Sequence, residues 1–242
     1  MKNYFIKKYQ PTDYLIWNEF VANAKNATFL FHRDFMEYHS DRYEDFSLLI
    51  FDEKNHLNAV LPANKVGCNL HSHQGLTYGG LVLNQKSKLE DVIQMLHALL
   101  SFLNDSAINL FYLKQVPNIY LESPADEMEY LNFILKAKLI RRDSLSVINL
   151  ETDFEFSTSR LEGIKRGIDF GLVLKEEQNF TSFWNHILIP NLAQKHKAKP
   201  VHSLDEITYL KSKFPNNIRQ FNVYKDEKII AGTTVFESDF VV

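Results

Sequence analysis

The chain has one cysteine, Cys68, in 242 residues. A single thiol excludes an internal disulfide framework and suits a reducing compartment. Charge of neither sign dominates: 27 Lys and Arg stand against 30 Asp and Glu, a formal net charge of −3. That balance leaves no electrostatic footprint for a nucleic acid or an anionic membrane surface, so DNA is not expected among the partners. No apolar run approaches the roughly 18 residues of a membrane helix, so no membrane insertion is expected. The first residues, MKNYFIKKYQPTDY, lack the apolar stretch and small-residue cleavage site of a signal peptide. The expected setting is cytoplasmic. No phosphate loop of the Gly-Lys-Thr kind and no persuasive Ser/His/Asp or Cys/His order is present, so the catalytic residues stay unknown.

What the chain does contain is ordinary for a globular protein, 45% hydrophobic and 24% charged, and its length suits one large or two modest domains. Residues 3–9 read as a strand ended by Pro11, with Thr12 capping a helix that shows Trp17, Phe20 and Val21 on one face. A second helix is expected near 32–40. FSLLIF (46–51) and HLNAVLP (56–62) read as a hairpin around Asp52-Glu53-Lys54-Asn55, and GLTYGGLVL (75–83) as a glycine-broken strand. Ser87-Lys88-Leu89-Glu90 has the form of a capping box. It opens a helix with the stripe Leu89, Val92, Ile93, Leu96, Leu100 and Leu103. Strands follow at 108–114 and 144–150, with a helix between them opened by Ser123-Pro124. Leu96, Leu100, Leu110, Tyr112 and Ile148 form the expected core.

Residues 151–160 are polar and acidic, and the pattern then restarts. A basic helix (159–168) leads to a strand (171–176), and a helix carrying Phe180, Phe183, Trp184, Ile187 and Leu188 is bent or ended by Pro190. A second capping box, Ser203-Leu204-Asp205-Glu206, opens a helix to Phe214. Two strands around Asp226-Glu227-Lys228 come next, then a polar break at 237–239 and the start of a further strand at Phe240. Both hairpins carry an Asp-Glu-Lys turn and follow two helices, so the chain reads as an internal repeat. The expected organisation is a first domain at 1–150, a linker helix at 151–170 and an incomplete second domain at 171–242. Completing the second copy would take roughly 80 further residues.

The fold class expected from this order is α/β, with a mixed (α+β) sheet. A strand, two helices, a three-strand meander and then helix-strand-helix-strand resembles the GNAT acyl-CoA N-acyltransferase fold, here as one complete copy plus a partial second copy. YHSDRYEDFSLLIFDEKNHLNAVLPA, SHQGLTYGGLVL, SRLEGIKRGIDFGLVL and LAQKHKAKPVHSLDEITYLKSKFP resemble in particular the tandem, Fem-type branch related to peptidoglycan aminoacyltransferases. The resemblance implies transfer of an acyl or aminoacyl group to an amine acceptor, a cell-envelope or glycan precursor or a peptide. The family's donors are acyl-CoA or aminoacyl-tRNA. In GNAT proteins that use acyl-CoA, an Arg/Gln-x-x-Gly-x-Gly/Ala turn after the fourth strand holds the pyrophosphate on backbone amides. The matching stretch here, LVLNQKSKLED, has no glycine, so no cofactor is expected to bind this chain and the chain by itself is expected to be inactive. The alternative is a non-catalytic acceptor-binding or interaction module. An open edge in the second domain would favour self-association.

Four of the eight glycines fall in residues 67–80. Ser72, His73, Gln74, Tyr78 and Gly79 are candidate substrate contacts there, unless the glycines serve only a bulged strand. Cys68, His71 and His73 are too few and too poorly spaced for a metal, and none is expected. In the resemblance, the loop QKHKAKPVH (194–202) faces the groove between domains, which makes His196, Lys199 and His202 further candidates. Without it, the loop is a solvated basic helix end. Arg160, Lys165 and Arg166 read as a solvated face more than as a phosphate site.

Overall fold

The computed structural model describes residues 2–121, 123–239 and 241–242. Phe240, the start of the last expected strand, lies outside them. The described residues form a mixed α/β structure with three sheets ordered β1-β3-β4-β7, β2-β5-β6-β8 and β11-β10-β9. Its strands are β1 (Tyr4–Lys8), β2 (Glu44–Asp45), β3 (Leu48–Asp52), β4 (Leu57–Leu61), β5 (Asn64–Val66), β6 (Asn69–His71), β7 (Val82–Leu83), β8 (Leu110–Tyr112), β9 (Val173–Glu177), β10 (Ile218–Lys225) and β11 (Lys228–Phe236). The helices are α1 (Tyr14–Ala22), α2 (Arg33–Met36), α3 (Leu89–Asp105), α4 (Glu127–Ile134), α5 (Thr158–Asp169), α6 (Thr181–Phe183), α7 (Ile189–His196) and α8 (Leu204–Lys213). No helix among the described residues is long and apolar enough to cross a membrane.

The chain divides into two compact units. One comprises residues 1–136, 212–217 and 237–242; the other comprises 137–211 and 218–236. In the first unit β3 is an inner strand, paired antiparallel with β1 and with β4. Leu48, Leu49 and Ile50 are fully buried in it, as expected of a strand covered on both faces rather than one alternating between core and water. The 46–62 hairpin therefore forms as its sequence predicts. Strands β6 and β8 of this unit pair in parallel.

Several sequence expectations are displaced. Helix α1 is entered through a 3₁₀ turn at Pro11–Asp13. There the Asp13 carboxylate accepts the Gln10 N–H at 3.0 Å, so Asp13 rather than Thr12 closes the cap. The box expected at Ser87 moves by one residue, the Asp91 carboxylate accepting from the Lys88 N–H at 3.3 Å. Val92, Met95, Leu96, Leu99 and Leu103 are buried in α3, whereas Leu89, Ile93 and Leu100 are exposed. Leu96 alone of the five expected core residues is buried, because Leu110 lies at the end of the edge strand β8 and Ile148 on no strand at all. Residues 75–81 are irregular, and only Val82 and Leu83 pair with β4. The 144–150 stretch has strand-like composition but no ladder partner among the described residues, and every side chain in it is exposed.

From residue 158 onward the second unit keeps more of its sequence plan. The Ser203 capping box is complete: Glu206 Oε2 accepts the Ser203 N–H at 2.8 Å, and Ser203 Oγ accepts the Glu206 N–H at 3.1 Å. Before Pro190 the helix loosens into a π-turn at Trp184–Leu188, one way a helix absorbs a residue that cannot donate. The two Asp-Glu-Lys turns differ. Asp52 folds its loop by accepting the Lys54 and His56 N–H groups, with Asn55 at φ 63°. Asp226 and Glu227 are both left-handed, at φ 46° and 62°, in a two-residue connection between Lys225 and Lys228, the geometry of a type I′ hairpin.

Candidate functional site

In the first unit, the end of β1, helix α2 with its following 3₁₀ turn, strand β2 and the loop after β6 enclose a cleft of about 420 Å³. Its lining includes Tyr9, Tyr14, Arg33, Glu37, His39, Tyr43, Asp45 and His73. Arg33 opens α2, and Glu37 lies one turn later on the same face. Its buried guanidinium donates through Nε to Glu37 at 2.9 Å, through Nη1 to Ser47 Oγ at 3.2 Å and through Nη2 to Asp45 at 2.5 Å. It also lies 3.7 Å from the centre of the Tyr9 ring. This is a charge-assisted, stacked arrangement that a lysine could not reproduce. Burial pushes the Asp45 carboxyl up, but Arg33 and the Ser47 groups outweigh it and hold Asp45 below the usual carboxylate range. Burial, only partly offset by Arg33, raises the Tyr9 phenol to about 12.

Two imidazoles sit against this cage. His39 and His73 are both buried and stack with ring centres 5.3 Å apart and planes 15° apart. Tyr43 meets both edge-on, at 5.0 and 5.5 Å. Burial, and then each other's presence, lowers the His73 pKa to about 3, and burial lowers that of His39. Both rings are therefore neutral near pH 7. Gly75 lies between them: its N–H donates to His73 Nδ1 at 3.2 Å, and its carbonyl is 3.4 Å from His39 Nε2. A Cβ on residue 75 would fall 2.3 Å from His39 Nε2, so this approach needs glycine.

Of the residues singled out by sequence, His73 lines this cleft. Ser72 is buried and accepts the Lys114 N–H at 2.7 Å, tying its loop to the segment after β8. Gln74 exchanges hydrogen bonds with Asn64, its N–H donating to Oδ1 and its Oε1 accepting from Nδ2, each at 2.8 Å. Tyr78 is buried, donates to Thr28 Oγ1 at 2.9 Å, and has its phenol raised by burial to about 12. Gly79 presses against the Ser72 carbonyl, which a Cβ would meet at 1.7 Å. His196 and Lys199 are exposed in the second unit. There His202 is half-buried, its carbonyl accepting from Trp184 Nε1 at 3.1 Å and its ring stacked on Phe236. Sequence reasoning passed over Arg33, Glu37, His39, Tyr43 and Asp45. Their one visible signal is the density of titratable and aromatic residues in HRDFMEYHSDRYED (32–45).

No family model matches the sequence, and no curated protein matches it. Among solved structures, the chain is similar to a fungal multi-domain GH3 β-N-acetylglucosaminidase described as containing a GCN5-related glucosamine N-acetyltransferase region. The identity is 11% and the TM-score 0.38, over 96% of this chain and 27% of that one. This chain thus spans about a quarter of the length of that protein.

Proposed function

We propose that the chain is of the GNAT acyltransferase type and that the cleft of its first unit receives the amine acceptor, a small molecule or a glycan or peptide precursor. The division into 1–150, 151–170 and 171–242 belongs to the same proposal. The observation that carries the acceptor assignment is the balance of the lining: two carboxylates, Glu37 and Asp45, against one guanidinium, with three tyrosines and two uncharged imidazoles. Such a wall favours a cationic or donor-rich amine over an anion. The order β1, α1, α2, the antiparallel run β3-β4-β7, α3, β8 and α4 supports the fold assignment. The Fem-type, peptidoglycan-related branch and the cytoplasmic setting remain parts of the proposal that rest on sequence resemblance.

The start of α3 supports the further reading that acyl-CoA is not held there. Its first turn is acidic, with Glu90 and Asp91, and Asp91 already accepts from the Lys88 N–H and from the Lys2 ammonium. A pyrophosphate would meet negative charge where a helix N-terminus ordinarily offers bare amides. A non-catalytic acceptor-binding module is the second reading that this feature favours. Calorimetric titration of the full chain with D-glucosamine and with acetyl-CoA tests both assignments: the amine is expected to bind and acetyl-CoA to bind weakly or not at all. Low-micromolar acetyl-CoA binding would overturn the donor reading, and absence of glucosamine binding would overturn the acceptor assignment. Acetylated product from a mixture of the two would reject the non-catalytic alternative.

A further inference from the structure

Among the described residues, one residue lining the cleft has a buried ring nitrogen without a partner. His39 Nδ1 makes no hydrogen bond among the described residues, although buried polar atoms are ordinarily satisfied. The groups around the ring decide what this atom is. A carbonyl oxygen can only accept, so the hydrogen bond between His39 Nε2 and the Gly75 carbonyl places the ring proton on Nε2. A neutral imidazole carries one N–H, and its other nitrogen is an acceptor. His39 Nδ1 is therefore a bare lone pair. The same glycine sets the second ring: its N–H donates to His73 Nδ1, which leaves the His73 proton on Nε2. One residue thus fixes both tautomers, and only glycine fits, since a Cβ there would meet His39 Nε2 at 2.3 Å and the Tyr43 ring at 2.8 Å.

We propose that His39 Nδ1 is the acceptor for an N–H of the amine ligand in this cleft, and that Gly75 is the positioning residue that keeps that nitrogen unprotonated. The ligand class, a small molecule bearing a primary amine, rests on the acceptor reading given above. Glu37 supplies the counter-charge: one carboxylate oxygen is engaged by Arg33 and Tyr9, and the side chain stays 42% exposed. A neutral acceptor beside a carboxylate takes an ammonium without the repulsion that an imidazolium would impose. Pro11, Tyr14 and Ser40 also line the cleft.

Long-range ¹H–¹⁵N correlation spectra of the full chain, labelled at histidine nitrogen, read the tautomers directly. In the free protein at pH 7, His39 and His73 are each expected to show a protonated Nε2 and an unprotonated Nδ1. Addition of D-glucosamine is expected to move the His39 Nδ1 resonance toward the hydrogen-bonded range, while D-glucose at equal concentration leaves it in place. Gly75→Ala is expected to mix the His39 tautomers and weaken glucosamine binding about tenfold, the loss of one hydrogen bond to a charged group. His97→Gln, an exposed change on α3, is expected to alter neither. A proton on His39 Nδ1 in the free chain would overturn the tautomer assignment even if Gly75→Ala fails to fold. Glucosamine binding that leaves His39 Nδ1 unmoved would overturn the acceptor role. No glucosamine binding by calorimetry overturns the underlying ligand reading instead, so the two failures are told apart.

Discussion

Between Phe46 and Leu103 most of the large apolar side chains close on one another, whereas between Leu139 and Leu174 they face solvent. In the first stretch Leu48, Ile50, Leu61, Leu83, Met95 and Leu99 are fully buried. In the second, Leu139, Ile140, Leu145, Val147, Leu150, Leu161, Ile164 and Ile168 are each more than half exposed. The local signals are alike: α3 and α5 both carry apolar residues at helical spacing, and both stretches contain β-branched runs. The difference lies in what each element meets. Strand β3 has β1 on one side and β4 on the other, while β9 is an edge strand and 144–150 has no ladder partner among the described residues. Periodicity prepares a face for burial, and only a second element buries it.

Acid should break the first region most deeply. His73 is held neutral in the folded state with a pKa lowered to about 3, against an ordinary value of 6.5. Its contribution is therefore fully present above pH 6.5 and declines as the pH falls from there toward 3. At about 1.4 kcal/mol per unit, roughly 3 kcal/mol should be lost between pH 6.5 and pH 4. Urea unfolding of the wild type and of His73→Gln across that range should show the variant losing less by about this amount. Parallel pH dependences would mean that the imidazole stack is not neutral.

A smaller contrast comes from packing. Leu99→Ala empties a fully buried site on α3 and should cost about 3 kcal/mol. Ile164→Ala on the exposed face of α5 should stay within about 0.5 kcal/mol. Comparable losses would show that α5 is covered in solution. The smallest effect is expected at the Arg219–Glu176 pair of the second unit, a two-bond contact with both 2.9 Å distances in solvent. Arg219→Ala should cost less than about 1 kcal/mol and depend on salt, because exposed ion pairs are screened. A larger, salt-independent loss would mean that the β9–β10 surface is buried against another molecule.

The sequence by itself determined the order of elements and most of their local chemistry. The 46–62 hairpin, the Ser203 capping box, the perturbed helix before Pro190 and the long apolar helix at 89–105 follow from turn residues, caps and periodicity, which act within a few residues. It also pointed to the loop at 72–79, where His73 does line the cleft. Tertiary structure decided the rest. The buried face of α3 was decided by what it packs against: Leu96 and Leu100 share the apolar stripe, yet Leu96 is buried and Leu100 is exposed. The 144–150 strand needed a partner that composition cannot supply. The candidate site needed residues from β1, α2, β2 and the loop after β6 to meet, so that Arg33 could gather Glu37, Ser47 and Asp45 and Gly75 could lie between two imidazoles. Those residues are up to 66 positions apart in the chain, from Tyr9 to Gly75. Their neutral or charged states arise from burial and neighbours that exist only once the chain has folded.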